Sequence, residues 1–246
     1  MRIPVIEGTI ERRILANFRI VPEVMKKLLP SPFLPEIVNG YAIGGVCLIR
    51  LAAIRPKGFP SWFGIGSENA AHRIAVEWSG GDRTKCGVYI PRRDTSSRLN
   101  SIVGGSLFPG VHHLASFSVE ESADSVSVSL RSRDGETRVS VSGTVSDHFS
   151  DSSVFTSLDE ASDFFKHGSF GYSARRGSGR YDGLELRCRN WSVTPLNVAK
   201  IVSSYFDDER RFPKGSIDFD CALLMRNIEH EWHGRESLCC DEDVGA

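Results

Sequence analysis

The segment from Gly87 to Phe117 brings together residues that can bind an anion and transfer a proton. Arg92 and Arg93 lie near its start, and a guanidinium can pair with a carboxylate or phosphate through two parallel hydrogen bonds. His112 and His113 lie further along, and an imidazole can act as a general acid or base near neutral pH. This combination predicts a pocket for a small anionic ligand with a proton-transfer group beside it.

The same residues also have a purely structural interpretation. If His112 and His113 lie in a strand, they point to opposite faces, so at most one of them faces an enclosed interior. One surface histidine and one core histidine bonded to backbone would then explain the pair. Arg92 and Arg93 could instead form an exposed ion pair with Asp94.

Glu77 is a further acid/base candidate because it lies beside Trp78, in a segment that could bury its carboxylate. A buried carboxylate has a raised pKa and can donate or accept a proton near neutral pH. The alternative is a salt bridge to Arg73 or to another arginine.

Tyr89, His72 and Tyr172 complete the candidate ligand contacts. Tyr89 lies in the strand-like run before the arginines, and Tyr172 could offer a phenol to a cavity, although a tyrosine in such a segment is also a usual core residue. His72 follows Glu68 and Asn69 closely, so a local hydrogen-bond network would explain it equally well.

Two other motifs carry less chemistry. Glu229, His230, Glu231 and His233 form the run EHEWH, which lacks the zincin spacing. In a strand they would be divided between two faces, whereas in a helix they could meet. The basic, glycine-rich stretch from Ser173 to Arg180 lacks the lysine of a phosphate-binding loop, so it is interpreted as a surface loop. We therefore expect neither a metal nor a cofactor.

Bulk composition excludes several classes of protein. The 30 basic and 31 acidic residues give a net charge of −1, which provides no general attraction to nucleic acid or to an anionic membrane. The six cysteines include no CxxC pair, so neither a zinc ribbon nor a disulfide framework is predicted. No apolar run approaches the length of a membrane span, and we expect a reduced, cytoplasmic protein.

Hydrophobic periodicity predicts many strands and few helices. Alternating or continuous apolar runs predict strands over residues 41–51, 72–78, 86–90, 113–120, 184–191 and 216–225. Val126 to Val145 reads as a β-hairpin turning at Asp134-Gly135. Helices are predicted over residues 21–29, over 95–103 with Asp94 as the cap, and over 158–165 with Ser157 as the cap. Residues 196–206 suit either a helix or a strand.

These elements favour an α+β fold that is mainly antiparallel β, with a closed or strongly curved, barrel-like sheet and a few short helices. No linker divides the chain, so one domain over residues 1–246 is expected, ending in a polar tail from about residue 236.

Several segments resemble the acetoacetate decarboxylase-like superfamily, in its uncharacterised DUF2071-type branch. The most specific is GVYIPRRDTSSR…FPGVHH, and others are IERRILANFRIVPEVMKKLLP, GYAIGGVCLIRL, SENAAHRIAVEW, FFKHGSFGYS and SIDFDCALLMRNIEHEWH. The resemblance implies a barrel-like fold that encloses a small-molecule cavity, without implying an activity.

One departure from the superfamily bears on the chemistry. The decarboxylases place two lysines just after a Gly-aromatic-Pro turn, and one of them forms a Schiff base with the keto acid. Here the comparable turn, Phe108-Pro109-Gly110, leads to the two histidines, and no lysine lies between Lys85 and Lys166. An imidazole cannot form such an imine, so decarboxylation through a Schiff base is not expected. The superfamily's active-site glutamate falls near His72.

Three functional hypotheses remain. The first is an enzyme or enzyme-like protein, of lyase or hydrolase type, that acts on a small organic acid or carbonyl compound by acid/base chemistry. The second is a sensor or carrier that binds such a ligand without catalysis. The third is an interaction module, because Trp62 and Phe63 could form an exposed apolar loop, and a homo-oligomer is expected.

Overall fold

Thirteen strands form one continuous sheet in the computed structural model, which describes residues 4–81, 83–103, 110–175 and 179–239. The strands are β1 (Ile6–Ile20), β2 (Leu34–Pro35), β3 (Ile37–Val38), β4 (Tyr41–Pro56), β5 (Ile65–Ser79), β6 (Thr84–Thr95), β7 (His112–Glu121), β8 (Ser125–Ser132), β9 (Arg138–Val145), β10 (Phe170–Ala174), β11 (Arg180–Cys188), β12 (Thr194–Ser203) and β13 (Ile217–Cys239). The helices are α1 (Pro22–Leu28), α2 (Arg98–Val103) and α3 (Leu158–His167), with a 3-10 turn at Ser61–Phe63.

Seven of these strands close into a ring. The order is β13, β1, β4, β5, β6, β10 and β11, and β11 pairs back onto β13. All the pairings in the ring are antiparallel except that of β6 with β10. A second path, β7, β8, β9 and β12, leaves the ring at β6 and rejoins it at β13. The predicted mainly antiparallel, strongly curved sheet is therefore confirmed.

The ring strands are buried on both faces, because side chains alternate along a strand and each face meets a different core. The core inside the ring contains Ile10, Leu15, Ile43, Leu51, Leu223 and Met225. The core between the ring and the second path contains Ile14, Val46, Ile74, Val128, Val141 and Leu224. This explains the nearly continuous apolar run of β4.

Helix α3 lies against the ring and is set by local chemistry. The Ser157 hydroxyl accepts a hydrogen bond from the Glu160 amide (3.1 Å), and the Glu160 carboxylate accepts one from the Thr156 amide (2.6 Å). The capped helix predicted here is confirmed. Trp191 Nε1 donates to the Ser162 hydroxyl (2.9 Å), which ties α3 to the chain after β11.

The helix predicted over residues 95–103 is shorter than expected. Strand β6 continues beyond Pro91 to Thr95, and α2 begins at Arg98. The Ser97 hydroxyl accepts a hydrogen bond from the Asn100 amide (3.2 Å), so Ser97 takes the capping role predicted for Asp94. The prediction for Asp94 was wrong because its carboxylate is buried and bonded to Arg92 instead.

Several strand assignments go beyond the sequence predictions. The ambiguous residues 196–206 begin as strand β12, which ends at Ser203. Strand β1 was not predicted, because the charges of Arg12 and Arg13 interrupt its apolar pattern. Strand β13 runs to Cys239 and so includes the first residues of the polar tail expected from about residue 236, and residues 240–246 lie outside the described part of the chain.

Candidate ligand-binding site

A cavity of about 470 Å³ lies inside the seven-strand ring. Every strand of the ring contributes to its wall, and α3 contributes Phe165 and Lys166 at one end. Most of the wall is apolar. The apolar residues are Ile49, Ala71, Val88, Ile90, Phe165, Leu184, Leu186, Trp191 and Trp232. This size and the largely apolar lining are typical of a small-molecule site.

Strand register places three arginines on this wall. Cys47 on β4 pairs with Ala71 on β5, and Ala71 pairs with Arg93 on β6, so these three side chains share one face of the sheet. Arg73 lies two residues after Ala71 on the same face, and Arg13 reaches the cavity from β1. Sequence reasoning named Arg93 as a ligand contact but missed Arg13 and Arg73.

Arg73 is held rigidly within this wall. It is 6% exposed, its Nη2 donates to the Asn17 side-chain oxygen, and its guanidinium carbon lies 4.7 Å from the centre of the Phe165 ring. Gly45 makes room for this contact, because a Cβ there would lie 3.1 Å from the Asn17 oxygen and 2.5 Å from the Ala16 carbonyl. Burial lowers the pKa of Arg73 to about 10, so the group remains charged at neutral pH.

Arg93 and Arg13 also bond to neutral groups. Arg93 Nε donates to the Ser173 hydroxyl (3.1 Å), and burial lowers the pKa of Arg93 to about 10. Gly110 allows Ser173 to approach this closely, since a Cβ at Gly110 would lie 2.7 Å from the Ser173 Cβ and its φ is +84°. Arg13 Nε donates to the Cys47 sulfur (3.3 Å).

His112 lines a smaller adjoining space of about 90 Å³. This space shares five wall residues with the larger cavity, namely Ile49, Ala71, Arg93, Leu184 and Trp232. His112 pairs with Arg93 in the parallel register of β6 and β7. The structure therefore places one predicted arginine and one predicted histidine side by side at the junction of the two spaces.

Arg92 and His113 point to the opposite face, as strand alternation predicted for the histidine pair. Arg92 donates to the carboxylates of Asp94 (2.9 Å), Asp134 (2.8 Å) and Glu136 (2.9 Å). His113 Nδ1 lies 2.8 Å from the Asp134 carboxylate. We call these five residues the Arg92 cluster. It joins β6 to the turn between β8 and β9.

Carboxylate pKa values in the Arg92 cluster shift in opposite directions. Burial raises the pKa of Asp94, although Arg92 partly offsets this. Burial also opposes ionisation of Asp134, but hydrogen bonds from Ser132 and Arg92 outweigh it and hold the pKa of Asp134 well below its usual range. The cluster thus contains one guanidinium surrounded by carboxylates, the interpretation that the sequence left open for Arg92.

His72 is fully buried on the same side as the Arg92 cluster. Its Nε2 lies 3.2 Å from the Ser203 hydroxyl, its ring centre lies 5.1 Å from that of Tyr205, and its Nδ1 has no hydrogen-bond partner within the described residues. Burial, followed by the charges of Arg92 and Arg211, lowers the pKa of His72 to about 3. His72 is therefore a neutral core histidine that does not line either cavity.

The remaining predicted contacts also lie away from the cavity. Tyr89 and Tyr172 pack in an aromatic cluster around Phe33, with ring centres 5.4 and 6.1 Å from its ring. Glu77 lies near Glu36, whose pKa is raised by burial and, more weakly, by Glu77. None of these residues appears in the wall of either space.

The EHEWH run lies in β13, and strand alternation divides it. His230 is buried, and burial lowers its pKa to about 4. Glu231 and His233 are on the other face, where they lie 2.9 Å apart and Glu231 also pairs with Lys57. Among the described residues, no group of three or more histidine, cysteine or acidic side chains is arranged to hold a metal ion.

Two predicted features lie partly outside the described residues: the turn at residues 108–109 and residues 176–178 of the basic loop.

Lys166 is exposed at one end of the cavity together with Arg187, and we call this end the cationic rim.

No helix in the part of the chain that the structure describes is long and apolar enough to cross a membrane.

Comparison with solved structures defines the fold class. Acetoacetate decarboxylase from Legionella pneumophila is similar at a TM-score of 0.63 and 8% identity, covering 94% of this chain and 86% of that one. The enduracididine biosynthesis enzyme MppR, solved with pyruvate, gives 0.61 at 10% identity and covers 98% and 92%. An acetoacetate decarboxylase-like enzyme from Sphingomonas wittichii gives 0.59 at 12% identity and covers 97% and 94%. The fold is therefore acetoacetate decarboxylase-like.

The family follows from sequence. The family model DUF2071, described as an uncharacterized conserved protein, matches residues 8–215. The chain belongs to the DUF2071 family. No functionally curated protein matches it by sequence.

Proposed function

We propose that this protein binds a small organic acid or carbonyl compound in the ring cavity and acts on it by acid/base chemistry, without a Schiff-base lysine. The observation that carries the proposal is the set of three arginines in a largely apolar cavity, none of which pairs with a carboxylate within the described residues. The proteins solved with this fold include one that binds pyruvate, which supports a ligand of this class.

Arg93 and His112 take the central roles in this proposal. Arg93 holds the anionic group of the ligand, and His112 beside it removes a proton from the carbon next to the carbonyl. The electron pair then moves onto the carbonyl oxygen, where the guanidinium stabilises the negative charge. Arg92 and His113 have a structural role in the Arg92 cluster.

Binding is tested by the thermal shift that pyruvate, acetoacetate, succinate and benzoate each produce. We expect at least one of these anions to stabilise the wild-type protein and to lose its effect in Arg93→Met. Arg92→Met is the matched control on the opposite face, compared with its own ligand-free melting temperature. Arg50→Met, at an exposed arginine on β4, is a second control. Equal anion shifts in Arg93→Met and in both controls would contradict the assignment.

Catalysis is tested by the exchange of carbon-bound hydrogen with D2O in the oxo acid that binds, followed by proton NMR. We expect exchange in the wild-type protein and in His113→Asn, and none in His112→Asn. Hydrogen exchange that persists in His112→Asn would contradict the catalytic role proposed for His112. Binding without exchange in the wild-type protein would favour the sensor or carrier.

The absence of Schiff-base chemistry has a separate test. Lys166 is the lysine at the cationic rim, so it is the residue to examine. Treatment with borohydride and pyruvate should leave the protein mass unchanged. A mass increase that disappears in Lys166→Gln would contradict the proposed acid/base chemistry and would support an imine formed on Lys166.

We also propose that the chain forms a homo-oligomer through the loop around its 3-10 turn. Trp62 is 76% exposed and stacks on Phe63, which is 55% exposed, at 3.7 Å between ring centres. Phe59 is also 55% exposed. Light scattering should show an oligomer that Trp62→Ser dissociates, and a monodisperse monomer in the wild type would contradict this.

A further inference from the structure

The charge balance inside the cavity is unusual. The described residues of its wall include five cationic side chains, on Arg13, Arg73, Arg93, Lys166 and Arg187. Glu185 carries the sole carboxylate in the described wall, and this carboxylate is already bonded to Arg187 (2.8 Å) and to Arg235. The three inner arginines therefore have no counter-charge in the described wall.

The hydrogen bonds of the inner arginines leave donors unused. Their acceptors are neutral: the Asn17 amide oxygen for Arg73, the Cys47 sulfur for Arg13 and the Ser173 hydroxyl for Arg93. Arg73 Nε and Arg13 Nη1 are both buried and have no acceptor within the described residues. These guanidiniums are therefore less fully bonded than that of Arg92, which donates to three carboxylates.

The three inner arginines lie around Cys47 on one face of the sheet. Arg13 bonds to Cys47 directly, Cys47 pairs with Ala71, which pairs in turn with Arg93, and Arg73 follows Ala71 by two residues on the same face. Burying a charge without a partner is costly, and placing like charges around one thiol adds repulsion. A single negative charge would neutralise only part of this group.

The rest of the wall indicates what the ligand carries besides charge. Around the arginines lie Ile49, Val88, Ile90, Leu184, Leu186 and Trp191. These apolar side chains favour an apolar ligand body, and a cavity of about 470 Å³ is larger than a small headgroup requires. The exposed cations of the rim would attract an anion toward the opening.

We propose that the ligand of this cavity carries two negative charges at one end of an apolar body, as a phosphate monoester or a dicarboxylate does. The inner arginines bind the doubly charged end, and the apolar wall binds the body. This inference rests on the proposed function, because it concerns the same cavity, and it narrows the ligand class.

The test is a titration series on one apolar body, measured by calorimetry near pH 8, where phosphate monoesters are dianions. The ligands are phenyl phosphate, phenylmalonate and phenylacetate, with inorganic phosphate and malonate as headgroups without the body. We expect phenyl phosphate, phenylmalonate or both to bind roughly tenfold or more tightly than phenylacetate, because an extra charge-assisted hydrogen bond is gained. Inorganic phosphate and malonate should bind more weakly than their phenyl derivatives.

Variants link this preference to the arginines. Arg73→Met should remove the preference for a dianion, and Arg13→Met serves as the second variant if the first fails to fold. Arg50→Met is the matched control and should retain the preference. A preference that survives in both inner variants would overturn the inference, and so would headgroups that bind as tightly as their phenyl derivatives.

The series separates this inference from the proposed function. If phenylacetate binds as tightly as both dianions and its binding depends on Arg93, the dianion inference fails while the proposed function stands. If no anion in the series binds, the dianion inference fails, and the proposed function is then decided by the thermal shifts with pyruvate, acetoacetate, succinate and benzoate. If phenyl phosphate and phenylmalonate bind with different affinities, the tighter ligand identifies the headgroup that the cavity prefers.

Discussion

Two neighbouring residues of β6 face opposite environments. Arg92 is surrounded by Asp94, Asp134 and Glu136, whereas Arg93 lines a cavity and bonds to the neutral Ser173 hydroxyl. The histidines paired with this end of the strand divide in the same way, with His113 on Asp134 and His112 in the cavity wall. Charge compensation by the protein, rather than residue type, therefore distinguishes the structural Arg92 from Arg93, which we propose binds a ligand.

The largest expected difference between the two faces is in stability. Arg92→Met leaves the buried Asp94 carboxylate unpaired, so we expect the free energy of unfolding to fall by about 3 kcal/mol. Arg93→Met removes a buried charge that has no carboxylate partner, so stability should be unchanged or higher. Urea denaturation of both variants measures this. Equal losses in the two variants would break the comparison.

The second-largest effect is the pH dependence of stability that His72 causes on the side of the Arg92 cluster. His72 has a folded-state pKa of about 3, below its usual value, so the unfolded chain takes up the proton first. Stability should therefore fall as pH decreases through about 6.5, by about 2 kcal/mol between pH 7.5 and 5 from this residue alone. His72→Gln should flatten that part of the curve, measured by urea denaturation at several pH values.

His148→Gln is the control for this effect, because His148 is exposed. Buried His230 remains in both variants, so its contribution to the acid dependence should persist. An unchanged curve in His72→Gln would mean that His72 takes up its proton in the folded state.

A smaller effect should appear on the cavity side. Ser157→Ala removes the cap of α3 and should cost about 1 kcal/mol in thermal or urea unfolding. Because α3 carries Phe165, which packs on Arg73, the loss should be accompanied by weaker anion binding. Ser150→Ala, in the preceding loop, is the control, and a cap variant with unchanged binding would separate α3 from the site.

The smallest effect is expected at Glu77, which lies outside both cavity walls. Glu77→Gln should change stability by no more than about 0.5 kcal/mol and leave anion affinity unchanged, as measured by calorimetry. A marked loss of affinity would restore the acid/base role that the sequence predicted for this carboxylate.

Local patterns predicted many elements but fewer of the site residues. The Ser157 cap and the hairpin around Asp134-Gly135 were predicted because their signals lie within a few residues. The roles of Arg13 and Arg73 were missed, because an arginine inside an apolar strand resembles an interruption. A useful signal would have been an arginine two residues away from a small residue in the same strand, as Arg73 is from Ala71, because the two side chains then share one face.

The sequence by itself determined which residues share a face, because side-chain alternation along a strand depends only on the local backbone. Thus His112 and His113 had to separate once both lay in a strand, whereas Arg92 and Arg93 separate because β6 continues past Pro91, which the sequence did not predict. Only the tertiary structure decided which face would be enclosed and which charges would meet. Asp134 reaches Arg92, and β11 closes on β13 to enclose the cavity, through pairings between distant segments that no local pattern specifies.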